Sequence, residues 1–179
     1  MLELKIEGTE LYDEASNMFI EVKPVVLRLE HSLVSVSKWE SKWKIPFLSL
    51  GDKTAEQTLD YIRCMTVSQN VDPLVYKCLT KKHIDAVNEY VSDEKTATTF
   101  HERSARPNRQ VVTSELIYFW MSQYNIPIDC QKWHLSRLMT LIRIASIKNA
   151  PEDKMSKSAI FSQNRALNAA RRKAMHTKG

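Results

Sequence analysis

The chain has 179 residues, 43% of them hydrophobic and 26% charged, and a formal net charge of +5. These values exclude a chain disordered throughout, and the length suits one domain with its own core, with or without an appendage, better than two large domains. With only three glycines in the sequence, a glycine-rich phosphate loop and a dinucleotide fingerprint are excluded too, since both need backbone to approach phosphate closely.

No apolar run is long enough to cross a bilayer, and the opening "MLELKIEGTE" lacks the basic and greasy regions of a signal peptide. The expectation is a protein that stays in the cytoplasm of the cell that makes it. The three cysteines, Cys64, Cys78 and Cys130, are odd in number and form no Cys-x-x-Cys pair, which favours reduced thiols over a disulfide framework. Charge is unevenly spread: residues 1–31 hold seven acids against three bases, and residues 148–179 hold eight bases against two acids. The basic character therefore belongs to the C-terminal tail.

At the N-terminus Leu2, Leu4 and Ile6 alternate as in a strand, and the turn-prone "GTELYDEASN" follows. In the next run Val25, Leu27 and Leu29 alternate with Val26, Arg28 and Glu30, and Pro24 interrupts it, which predicts a bent or edge strand of a small antiparallel element. From Ser32 the period becomes helical, with Leu33, Val36, Trp39 and Trp43 on one face and Glu40 and Lys44 read as an i,i+4 pair on the wet side. Ile45-Pro46 ends this helix. Thr54 with Gln57 forms a capping box for a second helix through Leu59, Ile62 and Met65. Asp72-Pro73 opens a short helix, and Thr80 caps "KKHIDAVNEYV".

Residues 92–112 have no sustained periodicity, and an aperiodic stretch of that length inside a domain is often functional. Ser114 then opens "ELIYFWMSQY", whose nearly continuous apolar residues predict a helix buried on most sides. After Asn125-Ile126-Pro127 a long helix is predicted from Asp129 to Lys148, with stripes Leu135/Leu138/Ile142/Ala145 and Leu141/Ile144/Ile147 that place it at the centre of the fold. Ala150-Pro151 reads as a hinge, followed by a basic helix from about Ser156 to Met175.

At helical pitch Cys130 and His134 share a face, as a zinc pair would require, with Cys64, Cys78, His83 and His101 as further candidate ligands. Core packing beside Leu138 and Leu141 accounts for the same spacing without a metal. Nucleophilic catalysis by this pair fares worse, because catalytic thiols and their bases normally come from separate elements and need an oxyanion-stabilising turn. A helix-turn-helix reading fails on the apolar face of the second helix, which carries Trp133 where a recognition helix needs polar side chains. The basic tail alone would contact phosphates without sequence preference. Trp39, Trp43, Trp120 and Trp133 read as core or interface anchors, with Trp39 and Trp43 clamping the β element to the helices.

Three strings, "EHSLVSVSKWESKWKIPFL", "TSELIYFWMSQYNIPIDCQKWHLSRLMTLIRIASIK" and "NRALNAARRKAMHTKG", resemble small proteins of the tail gene cluster of tailed bacteriophages, the tail assembly chaperones. The resemblance runs from about Glu30 to Gly179 and implies a non-catalytic assembly factor in the host cell cytoplasm. Such a factor keeps the long helical tape measure protein soluble and departs as tail tube subunits polymerise. The resemblance also implies that a longer form is made by translational frameshifting in many phages, and it transfers no site residues.

The resulting expectation is an α+β protein, mainly helical. Residues 1–149 form one domain, divided into a β element (1–31) and a helical core (32–149), and residues 150–179 form a basic helical tail. No catalytic residue, cofactor or metal is expected. Partner-binding candidates are Trp39, Trp43, Trp120, Trp133, Arg165, Arg171 and Arg172, toward the tape measure protein, tail tube subunits or a second copy of the chain. Alternatives to the chaperone are a structural connector of the virion tail and a small basic nucleic-acid-binding regulator.

Overall fold

The computed structural model describes residues 1–13, 17–49, 51–100, 111–149 and 157–175. The fold is α+β and mainly helical, with antiparallel strands at the N-terminus. The chain divides into two compact units, Met1–Ser146 and Ile147–Gly179.

Four strands open the first unit: β1 (Leu2–Ile6), β2 (Thr9–Asp13), β3 (Met18–Val22) and β4 (Val25–Leu29). β1 pairs with β4 and β2 with β3, so together they form one long hairpin interrupted midway. The interruption falls where Gly8 meets Pro24. A Cβ on Gly8 would lie 3.0 Å from the proline Cδ and 3.2 Å from the Val22 carbonyl oxygen, so this approach needs glycine. The turn-prone segment after Gly8 is thus largely strand β2, because pairing with β3 outweighs its weak local propensity. On β1 and β4 the alternation holds: Leu4, Ile6, Leu27 and Leu29 are buried, and Glu3 pairs with its cross-strand partner Arg28 at 3.3 Å on the wet face.

Ser32 starts α1 (Leu33–Trp43) in a reciprocal cap with Ser35: the Ser35 N–H donates to Ser32 Oγ at 3.3 Å and the Ser32 N–H to Ser35 Oγ at 2.9 Å. Lys44 ends the helix in the left-handed region (φ 56°), so it leaves the helical repeat and does not stack over Glu40. α2 (Ala55–Met65) carries the Thr54/Gln57 capping box, and beyond it the chain lies beside β4, where the Val67 N–H donates to the Arg28 carbonyl at 2.8 Å. Asp72 caps a 3-10 helix, Pro73–Cys78, by accepting from the Leu74 N–H, and α3 (Lys81–Ser92) follows Thr80.

α4 (Ser114–Gln123) buries Ser114, Ile117 and Met121 along one face only; Phe119 is exposed, so the expectation of burial on most sides is not met. Its high apolar content reflects a partly uncovered wall. The long helix does not begin at Asp129 either. Ile128–Lys132 is a 3-10 helix, and α5 runs from Leu135 to Asn149. The physical reason is that the Leu135 N–H donates to the His31 carbonyl at 2.7 Å, while Ser32 and His134 form a β-bridge. An amide committed to His31 cannot also continue a helix from residue 131, so Cys130 and His134 do not share a helical face. Leu135, Leu138 and Ile142 are buried, but Leu141 and Ile144 are only half-buried and Ile147 is exposed, so α5 lies at the edge of the core rather than at its centre. The Ala150-Pro151 hinge lies outside the described residues. In the second unit α6 spans Lys157–Met175. No helix among the described residues is long and apolar enough to cross a membrane.

Candidate functional site

After α3 the chain runs without regular structure from Asp93 to Phe100 and is held against α5 at both ends. At the start the Ser136 hydroxyl contacts the Glu94 and Asp93 carbonyls, and Lys95, in the left-handed region, pairs with Asp93. That pairing, by hydrogen bonds from the Lys95 side chain and amide, holds the Asp93 carboxyl below the usual range. At the far end the Arg143 guanidinium sits 4.1 Å from the centre of the Phe100 ring.

Between these two ties, α4 and α5 leave an open groove of about 1090 Å³. Trp120 on α4 and Met139 on α5 supply apolar surface, and Thr96, Thr98 and Thr140 supply hydroxyls along the rim. Rings and a thioether form an adaptable apolar surface, and the hydroxyls can pair with backbone or polar side chains without fixing a charge.

The structure does not bring the four tryptophans together. Trp120 lines the groove. Trp39 is buried in the core, where its indole N–H donates to the Gln57 carbonyl at 3.0 Å. Trp43, half-buried, donates to Asp60 Oδ2 at 2.9 Å. Both indole N–H groups therefore reach α2 and clamp helix to helix, not the β element to the helices. Burial disfavours the Asp60 carboxylate, but hydrogen bonds from Lys42 and Trp43 outweigh it and keep the carboxyl below its ordinary range. Trp133 lies between the 3-10 helix and α5, 40% exposed, with the Arg137 guanidinium 5.0 Å from its ring centre. Arg165, Arg171 and Arg172 are exposed on α6.

The candidate metal ligands also go separate ways. Cys130 is buried in the core, and Cys78 Sγ lies 3.6 Å from the Leu74 carbonyl oxygen. His83 Nδ1 accepts from the Thr80 N–H at 3.2 Å, in the position a glutamate or glutamine takes in a capping box. Burial pushes the Cys64 thiol up, and neighbouring Asp60 adds to the shift. Among the described residues no three His, Cys, Asp or Glu side chains are grouped to hold a metal ion; His101 lies outside them.

Two buried polar arrangements behind the groove were not read from the sequence. Glu40, only 7% exposed, accepts from the Phe47 N–H and the Ser114 N–H, each at 2.7 Å. It thereby joins α1 to the first turn of α4, where the helix dipole favours its charge. His31 and His134 are also buried, with ring centres 5.1 Å apart at an edge-on angle. His31 Nδ1 is hydrogen-bonded to the Tyr61 hydroxyl, and His134 Nε2 donates to the Tyr90 carbonyl at 3.1 Å. This pair joins the start of α5 to the start of α1.

No family model, no curated protein and no solved structure matches the chain.

Proposed function

We propose that this protein is a non-catalytic tail assembly chaperone whose groove between α4, α5 and residues 94–100 holds one face of a tape measure helix. The supporting observation is the groove itself. It is open to solvent, has Trp120 and Met139 as apolar surface, and carries threonine hydroxyls. A helix laid in such a groove would bury side chains at i, i+3, i+4 and i+7 and leave its charged face in water. The resemblance of the α1 and α4–α5 strings to tail assembly chaperones supplies the partner, and tail tube subunits would displace it as the tube grows.

The test fills the groove rather than emptying the core. Thr98→Arg with Thr140→Arg places two long side chains on the rim without removing a buried anchor. Coexpressed with a helical tape measure fragment, this variant is expected to capture at least about tenfold less of it than the wild type, a loss on the scale of one or two interface anchors. Trp133→Ala, outside the groove lining, is expected to capture as the wild type does. Undiminished capture by the folded double variant would remove the groove as the seat. A chaperone should also be absent from purified virions by mass spectrometry, which separates it from a structural connector of the tail.

A further inference from the structure

A further exposed apolar surface among the described residues of the first unit is the outer face of the β2–β3 ladder. The strand register sets Glu10 opposite Glu21 and Tyr12 opposite Phe19, and alternation puts these four side chains on one face. Tyr12 is 52% exposed and Phe19 69%, with their ring centres 5.3 Å apart. Leu11, Ile20 and Val22 on the opposite face are half-buried or buried. Two like charges directly opposite each other are unfavourable in an isolated ladder, and neither glutamate has an ion-pair partner among the described residues. A ladder that spends its outer face on two rings and two unpaired carboxylates matches a partner that brings both cations and apolar surface.

The second unit has those features. α6 contains five bases and no acid, and its described side chains are exposed. Phe161, Arg165, Asn168, Arg172 and Met175 recur at alternating steps of four and three, so they form one stripe along the helix. Phe161 is 72% exposed and Met175 74%. The stripe is apolar at its two ends and carries two arginines within it. Arginine both pairs with carboxylates through two N–H groups and stacks on aromatic faces, so Arg165 and Arg172 suit Glu10/Glu21 and Tyr12/Phe19 together.

We propose that the outer face of β2–β3 is the docking surface for α6 of a second copy of this chain, by pairing of Arg165 and Arg172 with Glu10 and Glu21 and packing of one apolar end of the stripe on Tyr12 and Phe19. Each copy then offers one surface and takes the other, so the contact closes when two copies exchange α6 or when a ring forms, and otherwise grows into a chain. The proposal does not rest on the groove or on any tape measure partner.

Charge exchange tests it on the full chain. Sedimentation velocity is expected to show assemblies above the monomer mass at tens of micromolar protein and dissociation in about 0.5 M salt, where surface charges are screened. Glu10→Lys with Glu21→Lys, and separately Arg165→Glu with Arg172→Glu, are each expected to weaken association at least tenfold. All four positions are exposed, so the circular dichroism spectrum and urea midpoint should match the wild type. Mixing the two variants restores one native pair of surfaces and sets the reversed surfaces, lysines against glutamates, in a complementary pair, so association is expected to return toward that of the wild type. A wild type that stays monomeric at all concentrations, including one whose α6 docks on its own chain, overturns the proposal. So does an assembly that ignores either reversal, or a mixture of the two variants that fails to associate.

Discussion

Glu40→Ala is expected to lower the stability of the fold by about 3–5 kcal/mol, a large part of the 5–15 kcal/mol typical of a domain. The carboxylate receives two backbone N–H groups from distant parts of the chain, Phe47 just after α1 and Ser114 in the first turn of α4. Truncation strands both donors in a site that excludes water, and each buried unsatisfied donor costs about 1–3 kcal/mol. Glu40→Gln keeps one acceptor oxygen but turns an amide N–H₂ toward the second donor, so about 1–2 kcal/mol is expected. Glu89→Ala, at an exposed position of α3, should stay within about 0.5 kcal/mol of the wild type. Urea unfolding followed by tryptophan fluorescence measures all three; an unchanged midpoint for Glu40→Ala would show that the clamp carries no stability. α4 forms one wall of the groove, so if the groove holds a tape measure helix as proposed, Glu40→Ala is also expected to weaken its capture, whereas Glu89→Ala is not.

The position of Glu40 was legible in principle. At 100° per residue it falls between Leu33 and Val36, inside the buried face of α1, and residue type misled where geometry did not. The favourable order of Glu40 and Lys44 counts for nothing, since Lys44 leaves the helix at its cap. Starts of helices were the most legible feature, because Ser32, Thr54 with Gln57, Asp72-Pro73 and Thr80 cap through contacts only a few residues apart. What depends on distant partners was not legible. α5 begins at Leu135 because of a hydrogen bond to His31, about a hundred residues earlier, and no local pattern announces it.

The groove follows the same division. Trp120 was singled out, and the missing periodicity of residues 92–112 marked the segment that supplies one wall, of which 101–110 lie outside the described residues. Met139 and Thr140 were not found, since which side of α5 stays uncovered is settled by its docking on the rest of the unit. Four tryptophans that look equivalent in sequence end as a core residue, a helix clamp, a groove wall and a half-exposed ring, which shows how little a tryptophan says about its own burial.

Acid is expected to loosen the junction between α5 and the start of α1 well before most carboxylates titrate. Burial pushes His31 down from 6.5 to about 3, and His134 beside it adds to the shift. Burial also lowers His134, against the Tyr90 carbonyl and the Glu30 and Asp93 carboxylates, which favour its charge, and with Lys95, which opposes it. A histidine depressed in the fold stays neutral there while the unfolded chain takes up a proton, so stability is fully present above about pH 6.5 and falls as pH drops toward 3. For His31 alone this amounts to about 2 kcal/mol between about pH 8 and about pH 5. His31→Gln retains an acceptor for the Tyr61 hydroxyl and removes the titration, so its stability should fall by about 2 kcal/mol less than the wild type over the same interval. Paired urea titrations at the two pH values give the difference directly, and equal losses in the two proteins would rule out His31 as the group that titrates. Because Met139 on α5 lines the groove, capture of the proposed tape measure helix should weaken in the same pH window in the wild type and resist it in His31→Gln.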